Sequence, residues 1–184
     1  MSLNPFDTTP SEDDDPYHYA GFSQRLLAGI IDIVVFIPFI ALSTYNQISI
    51  KSLNIELLIV VALMLYKPLM EWKYQATLGK MAMKIKVIAE VGGEMTLAQS
   101  FIRSSIFVAF SFVSALISIA VFNSPNFEEV RTLEAMIQVP EFNSYRAAHD
   151  SLRFIMIMSV SFVIFDRRHQ GVHDKMGRSL VVHS

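Results

Sequence analysis

Hydrophobic positions in this chain fall into four long runs that polar segments separate. A helix needs about 20 mostly apolar residues to cross the hydrocarbon of a bilayer. The pattern predicts spans over residues 21–44, 55–72, 101–122 and 147–165. The fourth is the weakest, because only Phe154 to Phe165 is unbroken, and it is long enough only if its helix begins near Ala147. A soluble helical protein would have to bury four such runs in one small core, so a membrane protein is favoured.

Basic residues lie in two of the connections, and they predict the orientation of the spans. The connection after the second span holds Lys73, Lys80, Lys84 and Lys86, and the C-terminal tail holds Arg167, Arg168, Lys175 and Arg178. Lysine and arginine accumulate on the cytoplasmic side of membrane proteins. Four spans place both basic regions on that side, whereas three would separate them. We therefore expect a multi-pass protein with both termini in the cytoplasm.

The connection between the second and third spans predicts short structured elements. Residues 77–86 have the spacing of a small interfacial helix, with Lys80 and Lys84 on one face. The segments KVIAE and EMT flank Gly92-Gly93, which suits a tight hairpin turn, and the tail SLVVH could add a strand. Thr96 with Gln99 predicts a capping box at the start of the third helix. The predicted fold class is an all-α membrane protein with four transmembrane helices, a cytoplasmic interfacial helix and a small β-hairpin.

Composition narrows the possible functions. Residues 1–18 are acidic and polar and predict a disordered tail, which leaves residues 19–184 as the membrane domain. The net charge is −2, so we expect no nucleic-acid partner, and the absence of cysteine excludes disulfides and thiolate chemistry. No nucleophile motif, phosphate loop or dinucleotide fingerprint is present, so we expect neither an enzyme nor a cofactor.

Ionisable residues inside the predicted spans are the strongest candidates for function. Arg25 can extend to the cytoplasmic surface, but Asp32 lies seven residues deeper, about 10 Å along the helix. We expect one polar cluster on the cytoplasmic half, built from Arg25, Asp32, Glu71 and Arg103. Such a cluster could fix helix packing through salt bridges, or it could be a protonatable or cation-binding site, and the residues alone favour neither.

Three segments together resemble the RDD family of small bacterial membrane proteins: YAGFSQRLLAGIID, ATLGKMAMKIKVI and RRHQGVHDKMGRSLVV. The family is named for one arginine and two aspartates, which correspond here to Arg25, Asp32 and Asp174. Glu71 matches a glutamate that ends the second span. The cytoplasmic motif residues that match are Thr77, Gly79, Lys80, Gln170 and His173. Where the family commonly has alanine and threonine near the end, this chain has Gly177 and Ser179.

The resemblance implies a protein of the bacterial inner membrane, where at least one member exchanges sodium, lithium or potassium for protons. We therefore expect a secondary transporter that exchanges monovalent cations for protons at Asp32. Its other partners would be the lipid bilayer and a second copy of the chain, since four helices enclose little space. The alternative is a non-transporting scaffold or accessory subunit that docks a cytoplasmic partner.

A metal site is a weaker possibility near the C-terminus. His169 and His173 are four residues apart, with Asp166 and Asp174 beside them, so two imidazoles could share an ion on a helix. This spacing is common by chance and the surroundings are basic. We expect no metal there and instead expect contact with the bundle or with anionic headgroups.

Overall fold

Long apolar helices dominate the computed structural model, which describes residues 17–125, 127–138, 147 and 170–184. Helix α1 spans Phe22–Tyr45 and α2 spans Leu53–Tyr74, which confirms the first two predicted helices to within about two residues at each end. A third long helix, α5, spans Ser105–Phe122. These three are long and apolar enough to cross a membrane.

The turn between α1 and α2 is built from a wide helical segment. Helix α1 continues directly into a π-helix over Asn46–Ile50, and Lys51 ends it in a left-handed conformation with φ 57°. Ser52 then caps α2, because its side chain accepts a hydrogen bond from the Ile55 N–H. The two helices are therefore antiparallel neighbours joined by a compact, well-bonded corner.

The predicted third span is two helices rather than one. A short helix, α4, spans Leu97–Arg103, and Ser104 separates it from α5. The predicted capping box is confirmed. The Thr96 side chain accepts from the Gln99 N–H at 3.2 Å, and the Gln99 side chain accepts from the Thr96 N–H at 3.0 Å. The break places Arg103 at the last residue of α4.

Beyond α5 lie a 3₁₀ turn at Phe127–Glu129 and a short helix, α6, at Leu133–Gln138. The Lys51 ammonium donates to the carbonyl of Phe127 at 2.8 Å, so the corner between α1 and α2 and the start of this connection lie together. The predicted fourth span, residues 147–165, falls almost entirely outside the described residues.

The small sheet differs from the predicted hairpin. Strand β1, Ile85–Ala89, pairs antiparallel with β2, Ser179–His183, with Val87 opposite Val181. The turn at Gly92-Gly93 is present, with both residues at φ +86°, but residues 94–96 form no strand. They are used elsewhere, because Met95 N–H donates to the Gln75 side chain and Thr96 caps α4. The C-terminal tail, which we expected only to extend a hairpin, supplies the partner strand.

Two short helices precede the two strands in the same way. Helix α3 spans Leu78–Ala82 and α7 spans Val172–Met176. A left-handed residue, Lys84 at φ 54° or Arg178 at φ 45°, then turns the chain into its strand. The predicted interfacial helix is therefore shorter than residues 77–86, because Ile85 already belongs to β1.

Residues 17–20, 75–96 and 170–184 form one unit, which we call the cap module. Tyr19 bridges to Val182, and the His18 carbonyl accepts a hydrogen bond from the His183 N–H, so residues 18 and 19 lie beside β2. A buried apolar cluster holds the module to the start of α1; its members are Ala20, Ala28, Ile85, Val87, Met95 and Val181.

Candidate functional site

Five charged side chains, none more than 12% exposed, meet where the cap module contacts the helix ends. Each comes from a different helix, α1, α2, α3, α4 and α7 in turn: Arg25, Glu71, Lys80, Arg103 and Asp174. We call this set the charge network. It contains three cations and two carboxylates, and both carboxylates are fully buried. Removing charges from water is costly unless they are paired, so the network depends on all five elements being in place.

Asp174 is one centre of the charge network. Its Oδ1 atom lies 2.7 Å from Nη2 of Arg103, and its Oδ2 atom pairs with Nη1 of Arg25. The Gly171 N–H also donates to Oδ2 at 2.9 Å, so the carboxylate closes the first turn of α7. Asp174 therefore joins α7 to α1 and α4 at a single point.

Arg103 connects Asp174 to the second carboxylate. Its Nε atom lies 3.1 Å from Oε2 of Glu71, and Nη1 donates to Oγ of Ser179 at 2.8 Å. Glu71 also pairs with the Lys80 ammonium through Oε1. The planar guanidinium serves three acceptors in different directions, which a lysine ammonium on a flexible stem could not do equally well.

Burial and charge shift the pKa values of Lys80 and Asp174, and of His173 beside Asp174. Burial lowers the pKa of Lys80 to about 8, although Glu71 favours its charged form. Burial alone would raise the pKa of Asp174, but Arg103 and Arg25 outweigh it and hold that pKa well below its ordinary value. Burial lowers the pKa of His173 to about 3, so this histidine is neutral at pH 7 beside Asp174.

Asp32 does not lie in the predicted polar cluster with Arg25, Glu71 and Arg103. Its carboxylate accepts hydrogen bonds from the Tyr66 hydroxyl at 3.0 Å, the Thr77 hydroxyl at 2.7 Å and the Gly79 N–H at 2.8 Å. The physical reason is depth. Two helical turns separate Asp32 from Arg25, and at that level of α1 the neighbouring element is the first turn of α3. All the hydrogen-bond donors to Asp32 among the described residues are neutral.

Close packing brings α3 to that depth. A Cβ atom on Gly79 would lie 1.9 Å from the backbone oxygen of Ala28, so only glycine allows α3 to rest on α1 here. Gly177 has a similar role at the other short helix, where an added Cβ would lie 2.7 Å from Cβ of Arg103. The two glycines set how closely the cap module approaches α1 and α4.

The predicted cytoplasmic motif residues all fall in the cap module, but they serve different partners. Thr77 and Gly79 bind Asp32, while Lys80 joins the charge network. The Gln170 side chain donates to the carbonyl of Ser179 at 3.1 Å, which fixes the start of β2. His173 lies with Nε2 3.2 Å from Oδ1 of Asp174.

Two polar residues of α2 that the sequence did not single out also contribute. Tyr66 links Asp32 to α3, because its hydroxyl also accepts from the Leu78 N–H at 3.1 Å. Glu56 is 3% exposed and accepts hydrogen bonds at the corner between α1 and α2, which is the end of this helix pair away from the cap module. Its position just inside the predicted second span was the available signal, since a carboxylate there must be paired or bonded.

No group of three or more histidine, cysteine or acidic residues is arranged to hold a metal ion within residues 17–125, 127–138 and 170–184. Asp166 and His169, which the metal hypothesis also needs, lie outside the described residues.

Comparison with known proteins agrees with the motifs around these residues. The sequence model of the RDD family matches residues 19–178, which is most of the chain. No curated protein and no solved structure is significantly similar to it. The match includes Arg25, Asp32 and Asp174 together with the helices described above, and this chain therefore belongs to the RDD family of membrane proteins.

Proposed function

We propose that this chain is a secondary transporter of the bacterial inner membrane that exchanges monovalent cations for protons, with Asp32 as the carboxylate that binds either ion. The observation that carries the proposal is the set of oxygens at Asp32. Its two carboxylate oxygens lie within hydrogen-bond distance of the Tyr66 and Thr77 hydroxyls. Oxygen ligands are those that hard cations prefer.

The charge at Asp32 supports the same proposal. In the described part of the chain its hydrogen-bond partners are a phenol, an alcohol and an amide, and none of them carries a positive charge. Arg25, Lys80 and Arg103 are instead paired with Asp174 and Glu71. A carboxylate without a fixed counter-charge can exchange a proton for a cation at small cost to its surroundings.

A topology of four spans with cytoplasmic termini completes the proposal. The cap module holds the start of α1 and the end of α2, whereas Lys51 and Phe127 lie together at the opposite end. Helix α1 has 24 residues, about 36 Å, which is enough to separate those ends by a membrane. Residues 127–138 follow the end of α5 that lies near Lys51, whereas α7 lies in the cap module at the opposite end, which supports a fourth crossing. The exposed lysines and arginines of the module, Lys84, Lys86, Lys175 and Arg178, support a cytoplasmic position, as does the exposed Lys73 at the end of α2.

Transport is tested in proteoliposomes that contain a pH-sensitive dye. Addition of NaCl, LiCl or KCl should move protons in vesicles with the unaltered protein, and choline chloride should not. Asp32→Asn keeps the shape of the side chain but removes the charge, so it should abolish the signal. Glu94→Gln, an exposed carboxylate of the cap module, is the matched control and should leave it unchanged. No signal with any of the three salts, or an equal signal from Asp32→Asn, would overturn the proposal.

A second candidate function is a scaffold or accessory subunit, and the charge network favours it. Both of its carboxylates are paired with two cations each, which fixes the cap module rigidly on the helix ends. The exposed basic side chains of the module, among them Lys86 and Arg178, would then form a rigid surface for an acidic partner. Lys86→Glu and Arg178→Glu change only exposed side chains, so they should release a stoichiometric co-purifying partner without unfolding the module. A protein that purifies alone and transports cations would defeat this second candidate.

A further inference from the structure

The corner between α1 and α2 contains a further buried carboxylate, Glu56, far from the cap module. Glu56 is 3% exposed and Asn46, which bonds to it, is fully buried. Ser43, which also bonds to Glu56, is 11 residues beyond Asp32 on α1, about 16 Å along the axis. The corner is therefore separate from the Asp32 site.

Three hydrogen bonds reach the Glu56 carboxylate. The Ser43 hydroxyl donates to Oε1 at 2.7 Å, the Gln47 amide donates to Oε1 at 2.9 Å, and the Asn46 amide donates to Oε2 at 3.1 Å. All three donors are neutral. Lys51, which ends the π-helix, directs its ammonium to the carbonyls of Phe127 and Glu128 instead.

Glu56 is thus a buried carboxylate whose charge no basic side chain neutralises, as far as the described residues extend. Buried charges in proteins are normally paired with an opposite charge or coordinated to a metal ion. The first turn of α2 offers some compensation through the helix dipole. This contribution explains why Glu56 tolerates the position, but it does not supply a counter-ion.

Gln47 gives an independent indication of a ligand. Its Nε2 atom bonds to both Ser43, at 3.1 Å, and Glu56, at 2.9 Å, while its Oε1 atom is buried without a hydrogen-bond partner. A half-turn of this amide exchanges the two atoms, because they have nearly the same shape. The Gln47 oxygen would then face Oε1 of Glu56 and the Ser43 hydroxyl. These three oxygens would surround the position of a bound ion.

The backbone around this point is unusual and firmly held. Asn46–Ile50 is π-helical, a form that occurs mostly as single turns and often at functional sites. The Asn46 side chain accepts from Ser52 N–H at 3.1 Å and donates to the Ser52 carbonyl at 3.0 Å, which locks the turn. The carboxyl end of a helix also favours positive charge.

We propose that Glu56, Ser43 and Gln47 form a binding site for a monovalent cation at the end of α1 and α2 opposite the cap module. A single carboxylate with neutral oxygens suits an ion of charge +1, whereas calcium sites usually combine six to eight oxygens with several carboxylates. The site requires only binding, so it does not depend on transport through Asp32.

The test measures thermal unfolding of the purified full-length protein in nanodiscs, in the Asp32→Asn background so that the other carboxylate cannot respond. NaCl, LiCl and KCl are titrated against choline chloride at constant ionic strength. A ligand that binds only the folded state raises Tm as its concentration exceeds Kd. We expect at least one alkali cation to raise Tm in this background. Glu56→Gln should abolish the rise, and Glu94→Gln, the exposed control, should keep it.

Ser43→Ala is a milder variant that tests the site if Glu56→Gln does not fold. Loss of one oxygen ligand should raise the half-saturating cation concentration by about tenfold, which corresponds to about 1.4 kcal/mol. No alkali-cation effect in the Asp32→Asn background, an equal effect with Glu56→Gln, or an unchanged midpoint with Ser43→Ala would overturn the proposal. The absence of transport in proteoliposomes would not contradict cation binding at Glu56. Likewise, the absence of a Tm shift would not contradict transport through Asp32.

Discussion

The backbone N–H of Gly79 donates a 2.8 Å hydrogen bond to the carboxylate of Asp32, which joins the first turn of α3 to the interior of α1. The contact exists because Gly79 has no side chain and lies directly over Ala28. A conspicuous charge in the first span is thereby tied to a glycine of the cap module. Any ion exchange at Asp32 must act on this contact.

Gly79→Ala should displace α3 from α1. The new Cβ would lie 1.9 Å from the backbone oxygen of Ala28, so the backbone itself must move. We expect a loss of about 1–3 kcal/mol in the free energy of unfolding, the usual cost of overpacking, or more. Gly29→Ala, on α1 next to Ala28, has open space around its Cβ and should not reduce Tm. Equal Tm values for the two variants would show that α3 does not pack on α1 in this way.

Tyr66→Phe should weaken the Asp32 site without changing its shape. The hydroxyl donates to Asp32 and accepts from the Leu78 N–H. Its removal therefore leaves the Leu78 N–H without this acceptor and the Asp32 carboxylate without this donor. The expected loss of stability is about 1–3 kcal/mol. Tyr45→Phe is the control, because Tyr45 is exposed and its hydroxyl bonds to nothing among the described residues. Chemical or thermal unfolding of both variants measures the difference.

Arg103→Lys should destabilise the junction of the helices with the cap module although it keeps the charge. One ammonium cannot serve Glu71, Asp174 and Ser179 in the directions that the guanidinium serves them. Leaving one buried carboxylate poorly paired should cost about 1–3 kcal/mol. Arg178→Lys, at an exposed position, should have little effect on Tm. If both variants unfold at the wild-type temperature, the buried contacts of Arg103 contribute nothing to stability.

Stability should fall as the pH falls from about 6.5 towards 3, in part because of His173. Burial lowers its pKa to about 3 in the folded chain, whereas the ordinary value is 6.5. Between these values the unfolded chain binds a proton that the folded chain does not, so acid favours unfolding by up to about 1.4 kcal/mol per pH unit. His173→Asn should therefore lose less Tm between pH 7 and pH 5 than the wild type loses. His183→Asn, at an exposed position, should retain the full loss.

Local sequence patterns were sufficient for the elements whose residues interact with near neighbours. Apolar runs located α1 and α2, and the Thr96–Gln99 spacing located the start of α4, because capping involves residues three apart. The strand partner could not be found in this way. Residues 94–96 and the tail both had suitable composition, and the choice depended on Gln75 and α4 engaging the former.

The candidate site shows the same division. Arg25, Glu71, Arg103 and Asp174 were singled out from their charge in apolar surroundings and, for Asp174, from the family motif, and they do meet. Asp32 was grouped with them because it is a further charge in the first predicted span, seven residues beyond Arg25. The close approach of Gly79 to Ala28 decided otherwise, and no spacing within α1 could reveal it.

The sequence by itself determined the apolar helices, the family and the charged residues that need a partner when they are buried. Hydrophobicity and charge are properties of each residue type and do not depend on where the chain places it. Only the tertiary structure decided which buried charge meets which partner. Asp174 belongs with Arg25 and Arg103, Asp32 with Tyr66, Thr77 and Gly79, and Glu56 with Ser43, Asn46 and Gln47. Hydrogen bonds and ion pairs require atoms within about 3 Å, and apart from those at Glu56 most of these contacts join residues more than 30 positions apart. Such distances are set by helix packing and not by local sequence.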